Sequence, residues 1–193
     1  MPHSRKPPAE NPRGSPARNQ ASLAGKNPGN SAGKHPQKIG LISDTHGLLR
    51  AEALEALRGS DLIIHAGDVG DPKILEALRQ IAPVVAVRGN VDTAEWAKAL
   101  PETAVAKAGA VQIYVLHDAT ALDLDAKAAG FQIVVSGHSH KPGRSERDGV
   151  IYINPGSAGP QRFNLPITVA RLDLGVWPWS VELVDLEQGR RVK

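Results

Sequence analysis

The sequence predicts an α/β fold of mixed β-sheets with flanking helices, and three observations carry that expectation. Short apolar runs alternate with amphipathic helical stretches from Lys38 to Val87, the second half is rich in strand patterns with one helical stretch, and glycines punctuate the strands where hairpin turns would fall. The alternation gives a β-α-β-α-β start, hence a largely parallel sheet under helices, and the later hairpins make the sheets mixed.

Residues 1–37 stand apart from this pattern. They hold seven of the fifteen prolines, with only Met1 and Leu23 as large apolar side chains. Such a segment buries too little surface to offset its ordering entropy, so 1–37 is expected to be a disordered basic extension and 38–193 the domain. The extension carries six Lys or Arg against Glu10, net +5, whereas 38–193 has seventeen against nineteen, net −2. The basic character belongs to the extension. It could touch nucleic acid or an anionic surface, but no aromatic is interleaved with the charges, which favours a solvated segment.

From Lys38 the elements follow in order. Ile39–Ile42 reads as a buried strand, 51–57 as an amphipathic helix, 62–64 as a strand, 72–80 as a helix opened by a proline suited to a first turn, and 84–87 as a strand. Strands are then expected at 104–107, 111–116, 131–135, 150–153, 167–172 and 180–184, with a helix over 121–129 and turns at Gly109, Gly149 and Gly175. Trp96, Trp177 and Trp179 are expected at the edge of the core, with Trp177-Pro178-Trp179 suited to a partner surface if exposed.

No apolar run approaches the roughly 20 residues that span a bilayer, so a soluble cytoplasmic protein without membrane contact is the expectation. The absence of cysteine excludes disulfides and thiolate chemistry, so a metal would be held by nitrogen and oxygen.

Polar residues fall where chemistry would need them. Five predicted strands end directly in residues able to bind a metal: Asp44-Thr45-His46, His65-Ala66-Gly67-Asp68, Gly89-Asn90, His117, and Gly137-His138-Ser139-His140. In open α/β sheets the carboxyl ends of strands border the ligand crevice, so these side chains should converge. Singly, each has an ordinary alternative: Asp44 as a helix cap, Asp68 and Asn90 as turn residues, His117 as a structural histidine. Jointly they favour a metal site: nitrogen and carboxylate donors suit Mn, Fe, Zn or Ni, and a carboxylate is able to bridge two cations.

These motifs, in this order, resemble those of the calcineurin-like metallophosphoesterases. With the short spacing and Asn154-Pro155-Gly156-Ser157, they most resemble the small bacterial and archaeal phosphodiesterase branch. The resemblance implies a two-sheet sandwich flanked by helices. It also implies Asp44, His46 and His140 on one cation, Asn90, His117 and His138 on a second, and Asp68 bridging them. Mn²⁺ is the implied metal, with Ni²⁺, Fe²⁺ or Zn²⁺ as alternatives. The implied reaction is hydrolysis of a small phosphoester, most of all a diester, by in-line attack of a hydroxide held between the metals, with Asp68 and Asn90 as catalytic residues.

The chain departs from larger relatives in having Val91-Asp92 after Asn90, where those carry a histidine thought to protonate the leaving group. Asp118 follows His117 where many relatives have a small residue; it could orient a histidine or repel a phosphate. His65 is expected to support the site or the packing without touching metal. Asn90 and Arg162 are candidate substrate contacts, although a surface role suits Arg162 as well, and 154–157 is either an anion nest or an ordinary turn. Two other functions compete: an interaction scaffold, as the same fold serves in the retromer complex, and a nuclease guided by the basic extension. Nothing in the sequence sets an oligomeric state.

Overall fold

A computed structural model describes residues 35–162 and 164–192. Nearly all of the basic segment assigned to 1–37 lies outside the described residues. Gln37 already belongs to the folded part: its N–H donates to Asp61 and its carbonyl accepts from Leu174 N–H.

The first strand, β1 (Lys38–Ile42), is followed by α1 (Ala51–Leu57), β2 (Leu62–His65), α2 (Pro72–Arg79) and β3 (Val84–Ala86). The two crossovers make β1, β2 and β3 parallel neighbours. Asp71 caps α2 by accepting from Lys73 N–H, and Pro72 sits in its first turn, where a missing N–H costs nothing.

The second half contributes β4 (Thr103–Ala108), β5 (Val111–Leu116), β6 (Ile133–Val135), β7 (Gly143–Arg147), β8 (Val150–Asn154), β9 (Thr168–Asp173), β10 (Ser180–Asp185) and β11 (Arg190–Arg191). Among the described residues they form two mixed sheets, ordered β11-β10-β9-β1-β2-β3 and β4-β5-β6-β8-β7. Gly109 closes the β4–β5 hairpin and Asp148-Gly149 the β7–β8 hairpin, each in the left-handed region that such tight turns require.

The sheets pack face to face. Ile39, Leu41, Leu62 and Ile64 of the first meet Ile113, Val115, Ile133, Val135 and Ile153 of the second in the central core. Ile42, Ile63 and Val169 point the other way, under Leu57 of α1 and Ile74, Leu75 and Leu78 of α2. Strands buried on both faces read as continuous apolar runs, which is why Ile39–Ile42 and Leu62–Ile64 were conspicuous in the sequence. The expected α/β sandwich with flanking helices is thus observed.

The helix expected over 121–129 does not form. Asp118 and Asp125 instead accept from Thr120 and Ala128 N–H and open two short turns, the first a 3₁₀ turn at Ala119–Ala121. Leu122, Leu124 and Ala126 recur at every second residue rather than at helical spacing, and pack with Tyr114, Phe131 and Tyr152 on the outer face of the second sheet. The sequence reading did not mark β7, β11 or the 3₁₀ turn Glu95–Ala99. β7 is an edge strand of polar residues, so no apolar pattern announced it.

Candidate metal centre

Two sets of parallel neighbours, β1-β2-β3 in one sheet and β5-β6 in the other, end beside one cluster of polar side chains. Asp44 and His46 follow β1, Asp68 follows β2, Asn90 follows β3, His117 follows β5, and His138 and His140 follow β6. Of the six non-glycine residues described with φ in the left-handed region, five belong to this set: Asp44 (54°), His46 (46°), Asp68 (54°), His138 (64°) and His140 (57°). Such conformations are costly for residues with a Cβ and cluster at functional sites.

The carboxylates share a design in which one oxygen is held by the protein and the other faces the cluster. Asp68 Oδ1 accepts from Val91 N–H at 3.0 Å, while its Oδ2 lies 3.8 Å from His46 Nε2 and 3.4 Å from His117 Nε2. Asp44 Oδ2 accepts from the Ser43 hydroxyl at 2.6 Å and from His138 N–H at 3.1 Å. Its Oδ1 is buried, has no hydrogen-bond partner, and sits 3.2 Å from His140 Nε2.

The imidazoles are aimed the same way. His117 Nδ1 donates to the Ala66 carbonyl at 2.7 Å, so Nε2 faces Asp68 and Asn90 Oδ1, the latter at 3.1 Å. His138 presents Nδ1 to the same Asn90 oxygen at 3.0 Å and turns Nε2 toward Asp118 Oδ2, 3.8 Å away. His46 and His140 bring their Nε2 atoms to within 3.2 Å of each other. Ligand atoms of Asp44, His46 and His140 form one tight group and those of Asp44, Asp68 and His117 another. A buried orphan carboxylate oxygen beside converging imidazole nitrogens is what a cation satisfies, so the donor set fits divalent metals of borderline softness.

Titration behaviour agrees with this geometry. Burial pushes the Asp44 carboxyl up to about 6, despite the Ser43 hydroxyl bond that opposes it. Burial also acts upward on Asp68, but bonds from His117 and Val91 and the nearby histidine charges outweigh it and leave the carboxyl below its usual value. For His117 burial acts downward and is outweighed by Asp68 and the Ala66 carbonyl, so its pKa is raised. Burial lowers His46 and His140, and the Arg162 guanidinium adds to the effect on both.

Arg162 thus acts electrostatically on the His46–His140 side, while its side chain is exposed. His65 lies outside the cluster, fully buried, with Nε2 at 2.9 Å from Thr45 Oγ1 and Nδ1 without a partner. The Thr45 hydroxyl donates to the Val69 carbonyl at 2.9 Å, so it accepts from His65, which pins the residue between Asp44 and His46. Asp44 caps no helix: α1 begins after Arg50, which makes no side-chain cap.

The turn 154–157 buttresses the site. Ala158 and Gly159 N–H donate to Ser43 and Asp44 carbonyls, Ser157 Oγ donates to the Asp44 carbonyl, and Gly156 N–H is taken by Asn154 Oδ1. These bonds make the turn a frame for the Asp44 segment. Asn154 Nδ2 also donates to the Gly137 carbonyl at 2.6 Å, tying the His138–His140 loop to the same frame. Ser43 was not singled out in the sequence, although a serine directly before the first aspartate was an available signal; Asn154 was marked only as part of the turn 154–157, not for what its side chain holds.

A two-sheet α/β sandwich with a candidate two-cation centre at the strand ends defines a class of metal-dependent hydrolase folds. The chain belongs to the calcineurin-like phosphoesterase superfamily, whose domain matches residues 38–175. A protein named "Probable metallophosphoesterase" from Methanocaldococcus jannaschii is 37% identical over 132 residues, covering 62% of this chain and 67% of the relative. A protein of the same organism named a phosphodiesterase is 27% identical over 154 residues, covering 70% of this chain and 92% of its own. Among solved structures, vacuolar protein sorting 29 from Cryptosporidium parvum matches with a TM-score of 0.69 at 22% identity, covering 82% of this chain and 95% of that one, a likeness of fold.

Proposed function

We propose that this protein hydrolyses small phosphoesters, diesters in preference to monoesters, at a centre holding two divalent cations. The observation that supports the reading is Asp68 Oδ2 lying 3.8 Å from His46 Nε2 and 3.4 Å from His117 Nε2 while Oδ1 is tied to Val91 N–H, which leaves one oxygen able to meet both cations. The relative named a phosphodiesterase supports the preference for diesters.

In this reading Asp44, His46 and His140 hold one cation, Asn90, His117 and His138 the other, and Asp68 both. Mn²⁺ is the foremost candidate, with Ni²⁺, Fe²⁺ or Zn²⁺ as alternatives; when bound, such ions supply Lewis acidity toward phosphoryl oxygens and a water acidic enough to serve as nucleophile near neutral pH. Asn90 and Arg162 receive the phosphate, the guanidinium adding positive charge on the His46–His140 side. Asp118 holds the His138 ring with Nδ1 inward. Val91 offers no proton to a leaving group, so esters of acidic alcohols are the favoured substrates. No helix among the described residues is long and apolar enough to cross a membrane, which is in keeping with a cytoplasmic enzyme.

The test is metal-stripped protein with Mn²⁺, Ni²⁺, Zn²⁺ or Mg²⁺ restored, assayed on bis(p-nitrophenyl) phosphate and p-nitrophenyl phosphate beside Asp68→Asn. Restored activity that the variant lacks is expected. Full turnover by the variant under the same conditions would sink the assignment.

A scaffold function is the second reading, favoured by one observation: Val176 and Trp177 are 45% and 50% exposed, beside Trp179. Folded protein without turnover on any metal, yet retained by a partner through Trp177, would turn the assignment to it.

A further inference from the structure

We infer that Asp92 is a positioning residue for this centre: its carboxylate locks the loop carrying Asp68 to the loop carrying Asn90 and so sets the geometry of the cation position those two residues share. The inference rests on the two-cation reading above.

The need for such a lock follows from the strand topology. The parallel pairing of β2 with β3 ends at His65 and Ala86, and a last ladder-like bond runs from Val87 N–H to the His65 carbonyl. Beyond that point no sheet register fixes the distance between the segments 66–70 and 88–92, yet Asp68 and Asn90 must be held within a fraction of an ångström to share cations. Asp92 occupies the gap. Oδ2 accepts from Gly89 N–H at 2.8 Å and Val69 N–H at 3.1 Å, and Oδ1 accepts from Gly70 N–H at 2.9 Å. One side chain therefore binds the residue before Asn90 and the two residues after Asp68.

The chemistry explains the residue type. The site offers three backbone donors converging on two oxygens, and a carboxylate has lone pairs for all of them and no hydrogen to place among them. Asp92 is 6% exposed, and a buried charge is tolerated when it is compensated by hydrogen bonds, as here. The lock also reaches the first loop. Gly70 packs so closely on the other side that a Cβ there would meet the His46 and Gly47 backbone, and Gly47 N–H donates to the Val69 carbonyl. The Asp44 segment has its own frame in residues 156–159, so the Asp68–Asn90 spacing rests on Asp92 together with the single direct bond from Val91 N–H to Asp68 Oδ1.

The test compares Asp92→Asn with Asp61→Asn. Asp61 makes the same kind of contact, accepting from Gln37 and Lys38 N–H, at the opposite end of β1 from the candidate centre, and so reports the cost of losing a carboxylate clamp as such. Mn²⁺ binding is measured by calorimetry on protein shown to be folded by circular dichroism, together with kcat and KM on bis(p-nitrophenyl) phosphate. Both variants are expected to melt earlier. Asp92→Asn should bind Mn²⁺ about 10–100-fold more weakly, as loss of a supporting contact typically does, and lose kcat, while Asp61→Asn binds as wild type. If Asp92→Asn fails to fold, Asp92→Glu replaces it, with the same expectation. Wild-type Mn²⁺ affinity in the folded Asp92 variant would overturn the inference, as would equal weakening in Asp61→Asn. Wild-type protein that binds Mn²⁺ without hydrolysing either ester would refute the enzymatic reading alone, because the binding comparison still stands.

Discussion

His65 makes acid stability a test of how the site is built. Its imidazole is fully buried, and desolvation lowers its pKa from 6.5 to about 4. In the unfolded chain the same ring takes up a proton near pH 6.5, so between 6.5 and 4 the unfolded state binds more protons and gains on the folded state. Above pH 7 the effect vanishes, and on acidification it grows to about 3 kcal/mol, at about 1.4 kcal/mol for each pH unit between the two values. The perturbation is His65→Gln, which keeps a donor for Thr45 and removes the titrating group. Urea unfolding of metal-free protein from pH 7.5 to 4 gives both stabilities. The variant should start less stable through poorer packing, and the gap should close by about 3 kcal/mol as pH falls through this window. Parallel pH curves would refute the claim that His65 is folded in as a neutral ring.

Two further outcomes follow from backbone geometry. A Cβ on Gly89 would overlap the main-chain nitrogen and Oδ1 of Asp68, so Gly89→Ala should displace the central carboxylate and abolish Mn²⁺ binding by calorimetry, with about 1–3 kcal/mol lost in urea unfolding. His46 sits at φ 46°, a conformation glycine adopts freely, so metal-free His46→Gly should be more stable than His46→Ala by about 1 kcal/mol, and an equal or lower stability would contradict the strain argument.

The sequence made the strands and the cluster legible for a common reason. Strands buried on both faces read as unbroken apolar runs, and a metal-competent residue at the end of such a run is conspicuous because packing does not ask for it. Residues whose role is mutual were not legible in this way. Asp92 was noted only in Val91-Asp92 as a departure from larger relatives, and its clamping role was not legible because its donors include segments up to 23 positions away. Asn154 was named only with its turn, and the reach of its side chain to the Gly137 carbonyl was hidden for the same reason; the turn, read as an anion nest or an ordinary turn, proved to frame the Asp44 segment. The helix expected over 121–129 failed on composition: alanines raised its propensity, but aspartates at 118 and 125 offered the backbone local bonds that end in turns.

The left-handed conformations of Asp44, His46, Asp68, His138 and His140 bear on whether this is a working centre or only a fold that once held one. Each costs of order 1 kcal/mol or more in a non-glycine residue, and glycine would remove the cost at every position. The same holds for the buried orphan oxygen of Asp44 and the facing nitrogens of His46 and His140. A scaffold that needed only its outer surfaces would gain stability by relaxing these features. Their joint presence, with donors competent at all seven positions and the carboxylates each fixed by one oxygen, is what selection for cation binding would maintain. The exposed Trp177 face imposes no such strain on the centre, so a partner surface and a catalytic site can coexist on this chain without competing for the same residues.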